Sequence, residues 1–238
     1  MSRFYLSPNA WTENPFLDGD EAKHLAQVLR VQPGATITVF DGLGNFAEAR
    51  VLSVSKQRID LMLELAESKP TPLPEIILAQ AIPKGKNMDW IVQKAVELGV
   101  SKIQPLVTRN TIASPGDEKA EKWRRTALEA CKQCAQFTIP IIADPISFDS
   151  WIKSPDASEL NLIASLEENP QNFRETLTAH PEIESITLLI GPEGDFTPQE
   201  TAAAQAAGFI PVTLGDLVLR VETATLFCLS AVRFQYTC

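Results

Sequence analysis

Two short segments of the chain join residues able to do chemistry to residues that let a backbone come close to a ligand. The first is Ile190-Gly191-Pro192-Glu193-Gly194-Asp195-Phe196-Thr197. Glycines on either side of Pro-Glu allow close main-chain approach, and Pro192 fixes one dihedral, so the segment suits recognition by backbone groups. The same spacing also makes a plain strand-to-helix turn. The second segment is Leu214-Gly215-Asp216-Leu217-Val218-Leu219-Arg220-Val221-Glu222-Thr223-Ala224, in which an arginine and a glutamate interrupt an apolar run. A carboxylate at a helix start is favoured by the helix dipole, so Glu222 has a structural reading beside a chemical one. Arg220 has no such local reason. A guanidinium stabilises developing negative charge, and a carboxylate accepts a proton.

Both segments follow predicted strands, where open α/β sheets bind ligands. Strand-like runs are Ile76 to Ala81, Ile103 to Val107, Ile139 to Ala143, Leu160 to Leu166, Ile186 to Ile190 and Ile210 to Leu214. Amphipathic helices alternate with them, which predicts a parallel sheet covered by helices. Met88 to Leu98 places Met88, Ile91, Val92, Ala95 and Leu98 on one side and stops at Gly99. A second helix is expected over Glu118 to Gln136, and a last one from Glu222 onward. Thr197-Pro198-Gln199-Glu200 reads as an N-cap, a proline at the first helical position and the acidic partner of a capping box.

Lys69-Pro70-Thr71-Pro72-Leu73-Pro74 sets three prolines at alternate positions, a stiff extended stretch that marks a domain boundary. The expected domains are residues 1–69 and 75–238. In the first, Thr36 to Phe40, Phe46 to Val54 and Arg58 to Leu65 alternate apolar and polar residues, and a helix over about Asp20 to Arg30 is lined by Ala22, Leu25, Ala26 and Leu29. Gly42-Leu43-Gly44-Asn45-Phe46-Ala47 fits a G-x-G-x-x-A dinucleotide pattern. Period-two sequence follows it where a helix should, so these glycines are expected to turn a hairpin.

The bulk numbers narrow the classes. The 238 residues are 45% hydrophobic and 21% charged, which excludes a disordered chain. No signal peptide is read at Met1 to Asn9, and no apolar run reaches the roughly 20 residues that cross a bilayer. The expected location is cytoplasmic. The net charge of −9 argues against a nucleic-acid partner until its distribution is considered. Residues 84–132 carry ten basic and six acidic side chains, against four and fourteen in residues 133–238. Cys131 and Cys134 form a C-x-x-C, but Trp123, Ala127, Leu128, Cys131 and Ala135 recur at helical spacing, and His24 and His180 show no paired ligand spacing. The thiols are better explained by packing, and no metal is expected.

Together with Arg3-Phe4-Tyr5, His24 to Arg30, Gly34, Phe40-Asp41-Gly42, Lys84 to Trp90, Gln93 to Val100, Lys122-Trp123, Glu129-Ala130 and Pro140, the two segments resemble the RsmE-type family of 16S rRNA uracil-N3 methyltransferases, within the SPOUT superfamily. Each motif alone is weak; the ordered set spans nearly the whole chain. The resemblance implies an α/β fold, a trefoil-knotted parallel sheet with helices on both faces, preceded by a small PUA-like β-barrel that binds RNA. It implies S-adenosyl-L-methionine as methyl donor, 16S rRNA or the assembled small ribosomal subunit as substrate, and a homodimer with active sites beside the subunit interface.

By the same resemblance the donor would lie among Leu166, Gly191, Pro192, Gly194, Leu214, Leu219 and Thr223. RNA would meet Arg3, His24 and Arg30 in the first domain and Lys84, Lys86, Arg109, Arg124 and Arg125 in the second. Arg220 is the expected stabiliser of the uracil oxygens, and Glu222 is either a base or a residue that orders its loop. The chain departs from the family pattern at Asp195, where a second glycine is common, and at Leu217 and Gln136, where arginine is frequent. Other readings are a noncatalytic RNA-binding protein of the same fold and a SPOUT enzyme acting on transfer RNA.

Overall fold

The computed structural model describes residues 3–112, 117–156, 158–166 and 169–237. Two compact units are present: Met1–Thr71 with Leu128–Ile139, and Pro72–Ala127 with Pro140–Cys238.

In the first unit, β1 (Arg3–Tyr5), β2 (Phe16–Asp18), β3 (Thr36–Phe40), β4 (Asn45–Val54), β5 (Arg58–Leu63) and β6 (Glu67–Ser68) form a sheet ordered β1-β3-β4-β5-β2, with β6 on β4. β1 runs parallel to β3, and the remaining pairs are antiparallel. Alternation along β4 sends Ala47, Ala49 and Val51 into a core with Phe4, Leu17, Leu25, Val39, Ile59 and Leu61. The Gly42–Gly44 segment is a hairpin turn. Asp41 accepts bonds from Leu43 N (2.7 Å) and Asn45 N (3.1 Å), and both glycines have positive φ, 78° and 102°.

The expected helix over Asp20 to Arg30 is interrupted. Helix α1 (Gly19–Lys23) passes into a π-helical turn over His24–Val28. Widening the turn shifts the facing of the residues that follow: Ala22 and Leu25 stay buried, while Leu29 is 44% exposed.

The second unit is built on a sheet of β7 (Glu75–Ala81), β8 (Lys102–Val107), β9 (Ile141–Ile142), β10 (Ile146–Ser147), β11 (Leu160–Ala164), β12 (Gln171–Asn172), β13 (Ser185–Ile190) and β14 (Ile210–Thr213). Its order is β10-β8-β7-β13-β11-β14-β12, with β9 on β8, and the pairs among the described residues are parallel. The helices are α2 (Asn87–Glu97), α3 (Asp117–Cys134), α4 (Phe148–Trp151), α5 (Phe173–Ala179), α6 (Pro198–Ala206) and α7 (Val221–Thr237). The last turns of α3 count with the first unit.

Helices cover both faces of this sheet. Ala79, Leu106, Ile163 and Leu189 pack with Phe148, Trp151, Phe196, Ala204 and Phe209 on one side. On the other, Gln80 accepts a 2.7 Å hydrogen bond from Thr225 in α7, with both side chains fully buried. Successive strand residues thus face opposite layers, the pattern of a sheet buried on both sides. Arg233 fastens α7 by donating to the carbonyls of Leu98 (3.0 Å), Gly99 and Pro74 (3.2 Å), two of which belong to the end of α2 left open by its last turn.

Candidate active site

Three loops leave the same end of the parallel sheet, after β11, β13 and β14, and their residues line one cleft of about 430 Å³. That size falls in the roughly 300–1,000 Å³ range of small-ligand sites.

The loop between β13 and α6 is held by its own packing. A Cβ on Gly191 would stand 3.0 Å from Asp195 Oδ1 and 3.2 Å from the Phe196 ring, so a side chain there would press on both. Neither Gly191 nor Gly194 has positive φ; the left-handed residue is Asp195, at 55°. This explains the carboxylate at a position where glycine is common, because Asp tolerates that conformation better than most residues. Asp195 Oδ1 accepts from Phe196 N (2.8 Å), and Oδ2 accepts from Leu166 N (3.3 Å), which joins the β13 loop to the β11 loop.

Side chains from further loops tie the same segment down. Glu193 Oε1 accepts from Lys84 N at 2.8 Å, and Asn110 Nδ2 donates to the carbonyls of Gly194 (3.0 Å) and Asp195 (2.9 Å). Behind them Glu200 is 3% exposed. Its carboxylate takes Arg109 N (2.9 Å) on one oxygen and Thr197 N (2.8 Å) on the other, completing the expected capping box.

The loop after β14 is held more lightly. Thr213 Oγ1 bonds Gly215 N and O, each at 3.2 Å, while Leu217 and Val218 are 78% and 77% exposed. Arg220 carries the first main-chain bond of α7, Ala224 N to Arg220 O at 2.8 Å. Glu222, in the first turn, accepts from Asn87 Nδ2 at 3.4 Å.

Of the residues named from sequence, Leu166, Gly191, Pro192, Leu214, Leu219, Arg220 and Glu222 line this cleft; Gly194 and Thr223 are not among its lining residues. Gly194 instead lies against Asn110, and Thr223 points outward on α7. The cleft also has Asn87, Glu193, Asp195, Ser165 and Val218 in its walls. Asn87 lay inside the Lys84 to Trp90 motif, but nothing in the local sequence pairs it with Glu222, 135 positions away.

The basic residues proposed for RNA fall into two kinds. Lys84, Lys86, His24 and Arg30 are exposed. Others have structural partners: Arg3 Nη1 donates to Lys132 O (3.0 Å) and Gln133 O (3.1 Å), and Arg109 pairs with Asp149 (3.0 Å). Arg124 bridges Glu121 and Asp144, and Arg125 Nε donates to Glu121 O at 3.4 Å. Burial pushes the Cys131 thiol up to about 12, consistent with its place on a packed helix face.

Residues 69–233 match the RNA methyltransferase domain family, and residues 17–64 match the RNA methyltransferase PUA domain. The first unit is accordingly a PUA half-barrel and the second a parallel α/β methyltransferase domain. The chain is 33% identical to ribosomal RNA small subunit methyltransferase E of Synechocystis, over 88% of this chain and 69% of the relative. A crystal structure of the enzyme of that name from Neisseria gonorrhoeae, bound to S-adenosyl methionine, aligns with a TM-score of 0.88 at 33% identity, covering 99% of this chain and 98% of the other. A putative methyltransferase from Legionella pneumophila, in complex with the same molecule, gives 0.88 at 29% identity over 98% and 97%. Two domain matches in order and full-length likeness to solved relatives agree with the geometry of the cleft, and the chain belongs to the ribosomal RNA small subunit methyltransferase E family.

Proposed function

We propose that the protein methylates N3 of a uridine in 16S ribosomal RNA, with S-adenosyl-L-methionine as donor. The observation that carries this reading is that the β13 loop and the Arg220 segment line a single cleft. Its apolar walls, Ile190, Leu214 and Leu219, suit an adenine ring, and its carboxylates, Glu193, Asp195 and Glu222, outnumber its one arginine. The donor carries a net positive charge, so the fit is electrostatic as well as steric. Leu166, Gly191, Pro192, Leu214 and Leu219, which line the cleft, are the residues proposed to hold it.

The donor supplies an electrophilic methyl group on a sulfonium leaving group. Uridine N3 keeps its proton at neutral pH, so that proton must leave as the N3–carbon bond forms. The electron pair of the lost N–H bond makes the new bond, and the pair of the breaking carbon–sulfur bond stays on sulfur. Arg220, which lines the cleft, is proposed to stabilise negative charge spreading to the uracil oxygens. Glu222 is proposed to take the proton, with Asn87 holding one carboxylate oxygen so that the other faces the cleft. Alignment of N3 with the methyl group supplies a further part of the acceleration.

RNA is proposed to be gripped by Arg3, His24 and Arg30 on the first unit and by Lys84, Lys86, Arg109, Arg124 and Arg125 on the second. The working form is proposed to be a homodimer in the cytoplasm. What supports a dimer is the exposed aromatic surface of α7, where Phe234 is 75% exposed and Phe227, whose ring meets that of Phe173, is 46% exposed. The deciding experiment is mass spectrometry of 16S rRNA from a strain lacking the protein, with purified protein added back. Loss of one 3-methyluridine and its restoration by the protein with donor is the expected result. Unchanged 16S rRNA, or restoration of a transfer RNA mark instead, overturns the reading.

A further inference from the structure

Asp195 is the one departure from the family pattern that adds a charge to the wall of the cleft. It is partly buried, lines the cleft, and is held in place from both directions. Its carboxylate accepts Phe196 N and Leu166 N, and its carbonyl accepts the Asn110 amide. Each carboxylate oxygen accepts one of those main-chain bonds, which leaves lone-pair capacity on both. No ion pair to Asp195 occurs among the described residues.

The other two acids of the cleft among the described residues are differently placed. Glu193 is exposed and spends an oxygen on Lys84 N. Glu222 stands two positions from Arg220 and receives Asn87. Asp195 is therefore the acid set in the wall between two donor-binding loops, without a cation of its own.

Resting on the methyl-donor reading above, we propose that Asp195 is a specificity-determining residue that distinguishes the loaded donor from its spent form by charge. At neutral pH S-adenosyl-L-methionine carries a sulfonium, an ammonium and a carboxylate, for a net charge of +1. After transfer the sulfur is a neutral thioether and S-adenosyl-L-homocysteine has no net charge. A fixed carboxylate in a partly desolvated wall attracts the first more strongly than the second. The site thereby releases product more readily than it releases fresh donor.

The test is calorimetric titration of the full chain and of Asp195→Asn and Asp195→Gly with three probes: S-adenosyl-L-methionine, S-adenosyl-L-homocysteine and sinefungin, in which a protonated amine replaces the sulfonium. Asn keeps the shape and one of the two main-chain acceptors, and Gly accepts the positive φ, so the pair separates charge from backbone strain. Thermal unfolding of each variant checks that the fold is kept. The wild-type chain is expected to prefer both cationic probes over the neutral one, with a preference that shrinks as salt is raised. Both variants should narrow that preference by roughly 3- to 10-fold, about 1 kcal/mol, and blunt its salt dependence. Equal preference in wild type and both variants overturns the role of Asp195 while leaving the cleft as the donor site. Failure of the wild-type chain to bind any probe overturns the donor reading, and this inference falls with it.

Discussion

At the scale of single residues, the cleft sets one guanidinium among three carboxylates within the described residues. Arg220→Ala should lower kcat for 16S rRNA by at least about 100-fold, as loss of one oxyanion stabiliser does, with donor affinity by calorimetry nearly unchanged. Unaltered turnover would remove Arg220 from the chemistry. Asn87→Ala should lower kcat more than it raises KM if the amide holds Glu222 as proposed. A variant with altered KM alone would make Asn87 a binding residue. Among the RNA candidates, Lys84 and Lys86 are exposed, while Arg124 is already bridged to Glu121 and Asp144. Lys84→Ala with Lys86→Ala should reduce the salt slope of RNA binding by up to about 2, and Arg124→Ala should change it less. Equal losses would mean that Arg124 exchanges its partners for phosphate.

At the scale of elements, the capping box at α6 joins stability to the site, because its Glu200 also receives Arg109 N. Thr197→Ala should cost about 1 kcal/mol, read as a fall of roughly 2–4 °C in Tm. Glu200→Ala should cost more, roughly 3 kcal/mol, since Arg109 N and Thr197 N lose their acceptor beneath a packed surface. A Glu200→Ala protein as stable as Thr197→Ala would refute that bridging role.

The box was legible in four consecutive residues, as were the strands with apolar runs, which the structure follows to within a residue or two, whereas β1, β2, β6, β10 and β12 are too short to leave such a run. Ile139 to Ala143 contracted to Ile141–Ile142, an added pair beside β8 with little ladder to extend it. The helix over Asp20 to Arg30 was visible in its apolar spacing, but its π turn was not, because a widened turn leaves no periodic mark in so short a segment. The reason for the glycines at 191 and 194 was also hidden. Close ligand approach explained them from sequence, whereas the structure shows Gly191 against Asp195 and Phe196, and Gly194 against Asn110. Contacts between elements far apart in sequence, such as Asn87 to Glu222, 135 positions apart, follow from topology and leave no local signal.

At the scale of the whole molecule, a net charge of −9 must be reconciled with a polyanionic substrate. Binding follows the local field more than the total, and because Lys94, Lys102, Arg109, Lys122, Arg124 and Lys132 are ion-paired, the exposed Lys84 and Lys86 are expected to carry that field. The exposed Phe234 on α7 makes a further claim on assembly. Phe234→Glu should turn a dimer into a monomer in sedimentation velocity, with unfolding temperature little changed. A wild-type chain that sediments as a monomer would end the proposal of a dimer, and a dimeric variant would move its interface elsewhere.

The two sides of the cleft are held unequally, with consequences for anyone who wishes to block it. Near Glu193 the backbone is strapped by Lys84, Asn110 and Glu200, whereas around Gly215 and Val218 little beyond the Thr213 hydroxyl restrains it. An inhibitor built outward from an adenosine core would find a rigid limit in the first direction and yielding ground in the second. Bulk added toward Val218 should be tolerated, and the same bulk turned toward Pro192 should be refused.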